Sequence, residues 1–251
     1  TLVQQVTQAF TTRFQRSPRW IVAAPGRVNI IGEHTDYNDG FVFPMAIERY
    51  TVIAADAPAS GAPNMITWQA SEVQEEFTVD PTQPICKGPP KWSNYVRGVL
   101  AGFQQKGIAF GGFDAVTGTN VPIGGGLSSS AALEVSTATL LEVISGQTLD
   151  PVEKALLCQK AEHDYAGVPC GIMDQFISVM GKKDHLLLID CRTRKPQLVP
   201  MSDPSLAILI FNTNVKHELS GGEYAERRAH CEEAARALGV PALRDVSLPQ
   251  L

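Results

Sequence analysis

Nowhere in this 251-residue chain do lysines and arginines cluster beyond a pair or so, and the formal charge is −5 with a pI near 5.6. Nucleic acid and anionic membrane need a basic face, so neither is an expected partner. A small anionic ligand needs only local donors and stays open. No apolar run approaches the roughly 20 residues that cross a bilayer, and the first residues carry no charged-then-apolar leader, so the chain reads as cytosolic. It begins at Thr1, and residues ahead of that position are expected. The five cysteines are scattered singly, with no Cys-x-x-Cys and no histidine at ligand spacing. That pattern excludes a zinc cage and a disulfide framework and implies reduced, structural thiols. There is no internal repeat, and no Gly-Lys-Ser/Thr follows the glycine cluster, which excludes the nucleotide hydrolases built on that loop.

What is present can bury a substantial core, since 44% of the residues are apolar; the length suits one large domain or two smaller ones. Val3, Val6, Phe10 and Phe14 recur at helical spacing and predict an amphipathic helix on the domain exterior. Strands are expected from Trp20 and over 41–56, with a break near Pro44. Prolines and glycines make 57–90 hairpin and loop. A helix is expected over 92–103, a strand at 113–117, and a helix starting at Pro151 behind the cap Asp150. A further helix begins near Gly171, strands fall at 185–190 and 206–211, and a last helix covers 224–238.

Three stretches carry chemistry. The first runs from Pro25-Gly26-Arg27 to Asn38-Asp39-Gly40, where a tight Asn-Asp-Gly hairpin turn is expected. Glu33, His34, Asp36 and Asn38 offer convergent donors and acceptors, as a polyhydroxylated ligand requires. The second is Pro122-Ile123-Gly124-Gly125-Gly126-Leu127-Ser128-Ser129-Ser130, joining a strand to a helix with Leu133, Leu140, Leu141 and Ile144 on one face. Glycines permit close backbone approach, and the following helix aims its positive end at the same point, so an anion fits there. The third is Gly171-Ile172-Met173-Asp174-Gln175. Met173, Phe176, Ile177 and Met180 form an inward stripe, and Asp174 stands at its edge in the first turn, where the helix dipole favours a negative charge. Taken alone, that aspartate reads as well as a cap or a solvated charge.

Together, in this order and spacing, the three stretches resemble the galactokinases, within the GHMP group of small-molecule kinases. The resemblance implies an α+β fold of two domains: a mixed-sheet domain with helices on one face over 1–203, and the start of an α/β domain over 204–251. It implies ATP-dependent phosphorylation of the anomeric hydroxyl of galactose. Asp174 would be the general base with Arg27 beside it. Glu33, His34, Thr35, Asp36, Gly171 and Tyr224 would hold the sugar, and Gly124, Gly125, Gly126, Leu127, Ser128, Ser129 and Ser130 the nucleotide phosphates. Trp92 would lie near adenine, and Ser130 and Glu162 would hold Mg²⁺. The expected partners are galactose and ATP, with no nucleic acid and no membrane. An N-acetylgalactosamine kinase and a non-catalytic galactose sensor are the alternatives. The group's third motif, a glycine-rich Gly-Gly-Gly-Phe-Gly-Gly, does not occur in the sequence. The second domain is therefore expected to be incomplete, with apolar surface that invites self-association. His163, His185, His217 and His230 show no catalytic spacing.

Overall fold

A computed structural model of the chain describes residues 1–212 and 223–250. It contains helix α1 (Leu2–Phe14) and strands β1 (Trp20–Asn29), β2 (Phe41–Val42), β3 (Pro44–Asp56), β4 (Ile66–Ala70) and β5 (Glu75–Val79). Helix α2 (Ser93–Gln105), strand β6 (Phe113–Thr119), helices α3 (Ser129–Ser145), α4 (Pro151–Ala161) and α5 (Met173–Met180), strands β7 (His185–Asp190) and β8 (Lys195–Pro200), and helix α6 (Glu223–Ala237) follow.

Five strands form a mixed sheet in the order β1-β3-β6-β4-β5, antiparallel except where β4 runs parallel to β6. Over residues 51–55 the interior strand β3 is buried on both faces, and the period-two alternation of a strand divides its side chains between two cores. Ile53 and Ala55 face α2 and α3, meeting Val96, Leu100, Phe103, Val135 and Leu141. Val52 and Ala54 face the other way, toward Val6 and Phe10 of α1. The helices are thus not confined to one face: the first covers the side opposite the rest. Its start is fixed by a capping box, in which the Thr1 hydroxyl accepts from the Gln4 N–H and the Gln4 side chain returns to the Thr1 amine.

A smaller sheet, β2-β7-β8, packs on α5 through Val42, Leu187, Ile189, Phe176 and Ile177. The inward stripe expected for α5 is present, with Phe176 and Ile177 wholly buried and Met173 and Met180 at the margin. Strand β8 is not evident from its sequence because Pro196 and Pro200 argue against it. As an edge partner of β7 alone, it needs no N–H at those positions.

Two expectations are corrected. Leu206 to Phe211 form no strand; Leu206, Leu209 and Phe211 are exposed. An apolar run becomes a strand only where a neighbour pairs with it, and among the described residues none does. Nor does Asn38-Asp39-Gly40 make a two-residue hairpin. Asp36–Asn38 form a 3₁₀ turn ended by left-handed Asp39, and the loop closes further back, where Ile30 N–H donates to the Phe43 carbonyl and Phe43 N–H to that of Ile31. The apolar residues after the turn then pair with β7, not with β1. Of the histidines, His217 lies outside the described residues.

Phe10, with no exposed surface, is the main side chain beneath α1. Phe10→Ala is expected to lower the unfolding free energy by about 3–5 kcal/mol in urea titrations; a loss under about 1 kcal/mol would mean that α1 does not pack as described.

Candidate active site

The loop between β1 and β2 is knitted by short-range bonds. The Thr35 hydroxyl lies 2.7 Å from the Gly32 carbonyl and 2.6 Å from that of Phe41, and the Gly40 N–H donates to Thr35 O at 2.8 Å. Thr35 is therefore turned into the loop as a brace. Gly32 has φ 105°, and a Cβ there would meet the Phe41 carbonyl at 2.4 Å, so only glycine fits. Glu33 is exposed and accepts from the Asn29 amide at 3.0 Å. His34 is exposed and left-handed, with its Nδ1 2.6 Å from the Tyr37 hydroxyl.

Asp36 points inward. Its carboxylate occupies the space that a side chain at position 171 would fill, because a Cβ on Gly171 would stand 1.7 Å from Asp36 Oδ2. The Tyr37 N–H and, at 3.5 Å, the Met173 N–H donate to it. Burial, with the Asp174 carboxylate nearby, raises the Asp36 pKa above its ordinary 3.8. Tyr224 reaches the same place from α6, its hydroxyl accepting from the Gly171 N–H at 3.2 Å. Its ring lies 5.8 Å from that of His34 and 5.4 Å from that of Tyr37, and burial pushes its phenol upward. Loop 32–40, the start of α5 and the start of α6 thus converge.

Arg27 joins this cluster to the glycine loop. Its Nε and Nη2 donate to the two oxygens of Asp174 at 2.8 and 2.9 Å, a bidentate pair, while Nη1 donates to the Gly126 carbonyl at 2.6 Å. The Ser128 hydroxyl lies 2.5 Å from Asp174 Oδ2. Ser128, whose backbone is among the expected phosphate binders, turns its side chain to the aspartate. Gly26 lets β1 run against the loop, since a Cβ there would strike the Leu127 carbonyl at 2.6 Å. Gly124, Gly126 and Ser128 are left-handed, Gly125 closes a turn on Pro122, and Ser129 and Ser130 open α3.

Behind the glycine loop lies a buried acidic group. Glu162 is 3% exposed and begins a π-helical turn, 162–166, that continues α4. It accepts from the Ser130 hydroxyl and, at 2.7 Å, from the Gln175 amide. The same amide nitrogen donates to Glu134 of α3 at 3.0 Å. Glu134 is wholly buried, one of its oxygens has no hydrogen-bond partner, and burial with Glu162 beside it raises its pKa well above normal. Burial, then Asp174, pushes Glu162 up to about 7.

Among the described residues, no group of three or more His, Cys, Asp or Glu could hold a metal by protein ligands alone. Yet the Ser130 hydroxyl and Glu162 carboxylate are hard oxygen donors side by side, next to an unsatisfied buried oxygen. That fits Mg²⁺, which takes one or two carboxylates and completes its shell with phosphates and water.

Trp92 packs away from this cluster, edge-on to Phe77 at 5.5 Å in the main core. Sequence reasoning missed Tyr37, Glu134 and Gln175. A carboxylate four residues after Ser130, flanked by Leu133 and Val135, was the available signal for Glu134.

Because the folded state holds the Asp36 proton more tightly than the unfolded chain, the neutral form's contribution is full below about 3.8 and is lost as pH rises through the raised folded value. Asp36→Asn removes that loss. The variant is expected to match the parent in urea unfolding near pH 3.5 and exceed it at pH 7; a less stable variant at pH 7 would contradict the burial described.

Two family profiles match the chain: the galactokinase galactose-binding signature over residues 8–57 and the N-terminal domain of GHMP kinases over 94–182. Galactokinase of Homo sapiens is 48% identical over the whole chain, and that of Bos taurus 47%. The chain spans about 64% of the length of these curated relatives. The crystal structure of Lactococcus lactis galactokinase complexed with galactose superposes with a TM-score of 0.84 at 30% identity, covering 98% of this chain and 65% of that one. Methanococcus jannaschii mevalonate kinase shares the fold, with a TM-score of 0.61 at 20% identity over 72% of this chain and 57% of its own. Over its whole length the chain is similar to the galactokinases, and over residues 94–182 to the N-terminal domain of the GHMP kinases.

Proposed function

We propose that this chain carries the sugar site and the catalytic pair of a galactokinase, which transfers the γ-phosphoryl group of ATP to the anomeric hydroxyl of galactose. The observation that carries the reading is the bidentate Arg27–Asp174 pair at the meeting point of signature loop, glycine loop and α5. Glu33, His34, Asp36 and Tyr224 would bind the sugar hydroxyls; Asp36 and Tyr224 meet at Gly171, and the His34 ring lies against that of Tyr224. The backbone of Gly124 to Ser130 would hold the phosphates. Residues 1–203 would form the first domain and 204–251 the beginning of the second, in a cytosolic protein.

In the reaction, one Asp174 oxygen accepts a hydrogen bond from the anomeric hydroxyl and takes its proton as the sugar oxygen bonds to phosphorus. The bond from phosphorus to the bridging oxygen breaks, and that electron pair leaves on ADP. Arg27 fixes the carboxylate in one orientation and balances charge on the moving phosphoryl group. Ser128 restricts the same carboxylate from its other side. Mg²⁺, held by Ser130 and Glu162, would supply neutralising charge to the β- and γ-phosphates.

The chain incubated with ATP and Mg²⁺ is expected to release ADP with galactose and not with N-acetylgalactosamine, and Asp174→Asn to lower that rate about 10²- to 10⁴-fold. Turnover only with the acetamido sugar would reassign the substrate. Galactose binding without ADP release would favour a sensor.

A further inference from the structure

The side of the signature loop remote from Asp36 is held by a ring of charges that no step above uses. Arg192, just beyond β7, donates through Nη1 and Nη2 to the two oxygens of Asp245 at 2.8 and 2.7 Å, and through Nε to Asp39 at 3.2 Å. Arg244 donates to the Asp39 carbonyl at 2.8 Å and to the Asp190 carboxylate, and its guanidinium lies 4.4 Å over the Phe41 ring. Between them, the Cys191 N–H donates to the Gly40 carbonyl at 3.0 Å. Two arginines and three aspartates thus close on Asp39-Gly40-Phe41 from β7 and from the 3₁₀ turn Leu243–Asp245.

A single exposed ion pair contributes little, but a bidentate pair within a network, with backbone acceptors included, resists rotation about any one bond. The segment it holds needs such a restraint. Asp39 is left-handed at φ 59°, and the loop has only a 3₁₀ turn and no β-ladder between residues 32 and 40. Arg244 holds Asp190 below the usual carboxylate range, and Arg192 does the same for Asp245.

We propose that Arg244 and Arg192 are positioning residues for sugar recognition, forming a latch that fixes the signature loop from behind so that Glu33, His34 and Asp36 meet the ligand preorganised. The inference rests on the sugar-binding reading above. It makes sugar affinity depend on residues from the segment after α6, which touches none of the sugar-facing side chains through Arg244.

Amide hydrogen exchange and galactose titration calorimetry on the whole chain separate the possibilities. In Arg244→Gln, exchange at residues 34–40 is expected to quicken and the galactose Kd to rise, each about threefold to tenfold, with exchange in α3 and β3 unchanged. Arg244→Lys, which keeps the cation, should recover part of both effects, and a purely structural residue would not show this recovery with the core unmoved. Should Arg244→Gln unfold, Asp190→Asn, which removes only the carboxylate partner, decides by the same two readouts. Unchanged exchange at 34–40, or a quickened loop with unchanged Kd, overturns the latch. If the parent chain binds no galactose, the sugar reading fails, and quickened exchange confined to 34–40 in Arg244→Gln still supports the latch itself.

Discussion

The Arg27–Asp174 pair is the constraint around which the site is arranged. One guanidinium bonds both oxygens of an aspartate on α5 and a carbonyl of the glycine loop, so it fixes β1, that loop and the helix start relative to one another. Both partners are mostly shielded from water, where removing either would leave a desolvated charge behind. A strongly held pair is a poor place to store flexibility and a good place to fix an orientation. That is what phosphoryl transfer asks of a protein, because positioning and electrostatics supply most of its catalysis.

Around that pair, backbone and side chain are fitted closely. Gly26 allows the strand to approach Leu127, and Gly171 makes room for Asp36. Neither glycine is there for flexibility; each marks where a second segment occupies the space of a side chain. The buried carboxylates behind the glycine loop show the opposite economy. Glu134 and Glu162 are desolvated, close together and served by one Gln175 amide, an arrangement that opposes stability and that the proposed cation would relieve.

Much of this was legible in the residues. Periodicity placed α1, α3 and α5, and Asp150-Pro151 marked the start of α4, because these signals are local. The family resemblance implied that Arg27 and Asp174 would meet, although they stand 147 positions apart. The failures have a common cause. Asn38-Asp39-Gly40 is a turn signal whose strand partner is chosen elsewhere in the chain, and Leu206 to Phe211 is a strand signal with no partner among the described residues. Glu134 and Gln175 were missed, and the inward turn of the Ser128 and Thr35 hydroxyls was not foreseen, because composition does not say which way a side chain points. Arg192 and Arg244 were invisible for the same reason, being ordinary surface charges until the fold brings them to one loop.

The account predicts where a sugar must sit. In a crystal of this chain soaked with galactose, the anomeric oxygen should lie about 3 Å from an Asp174 carboxylate oxygen, with a ring hydroxyl on Asp36. Galactose bound elsewhere, or bound with its anomeric carbon turned away from Asp174, would contradict it.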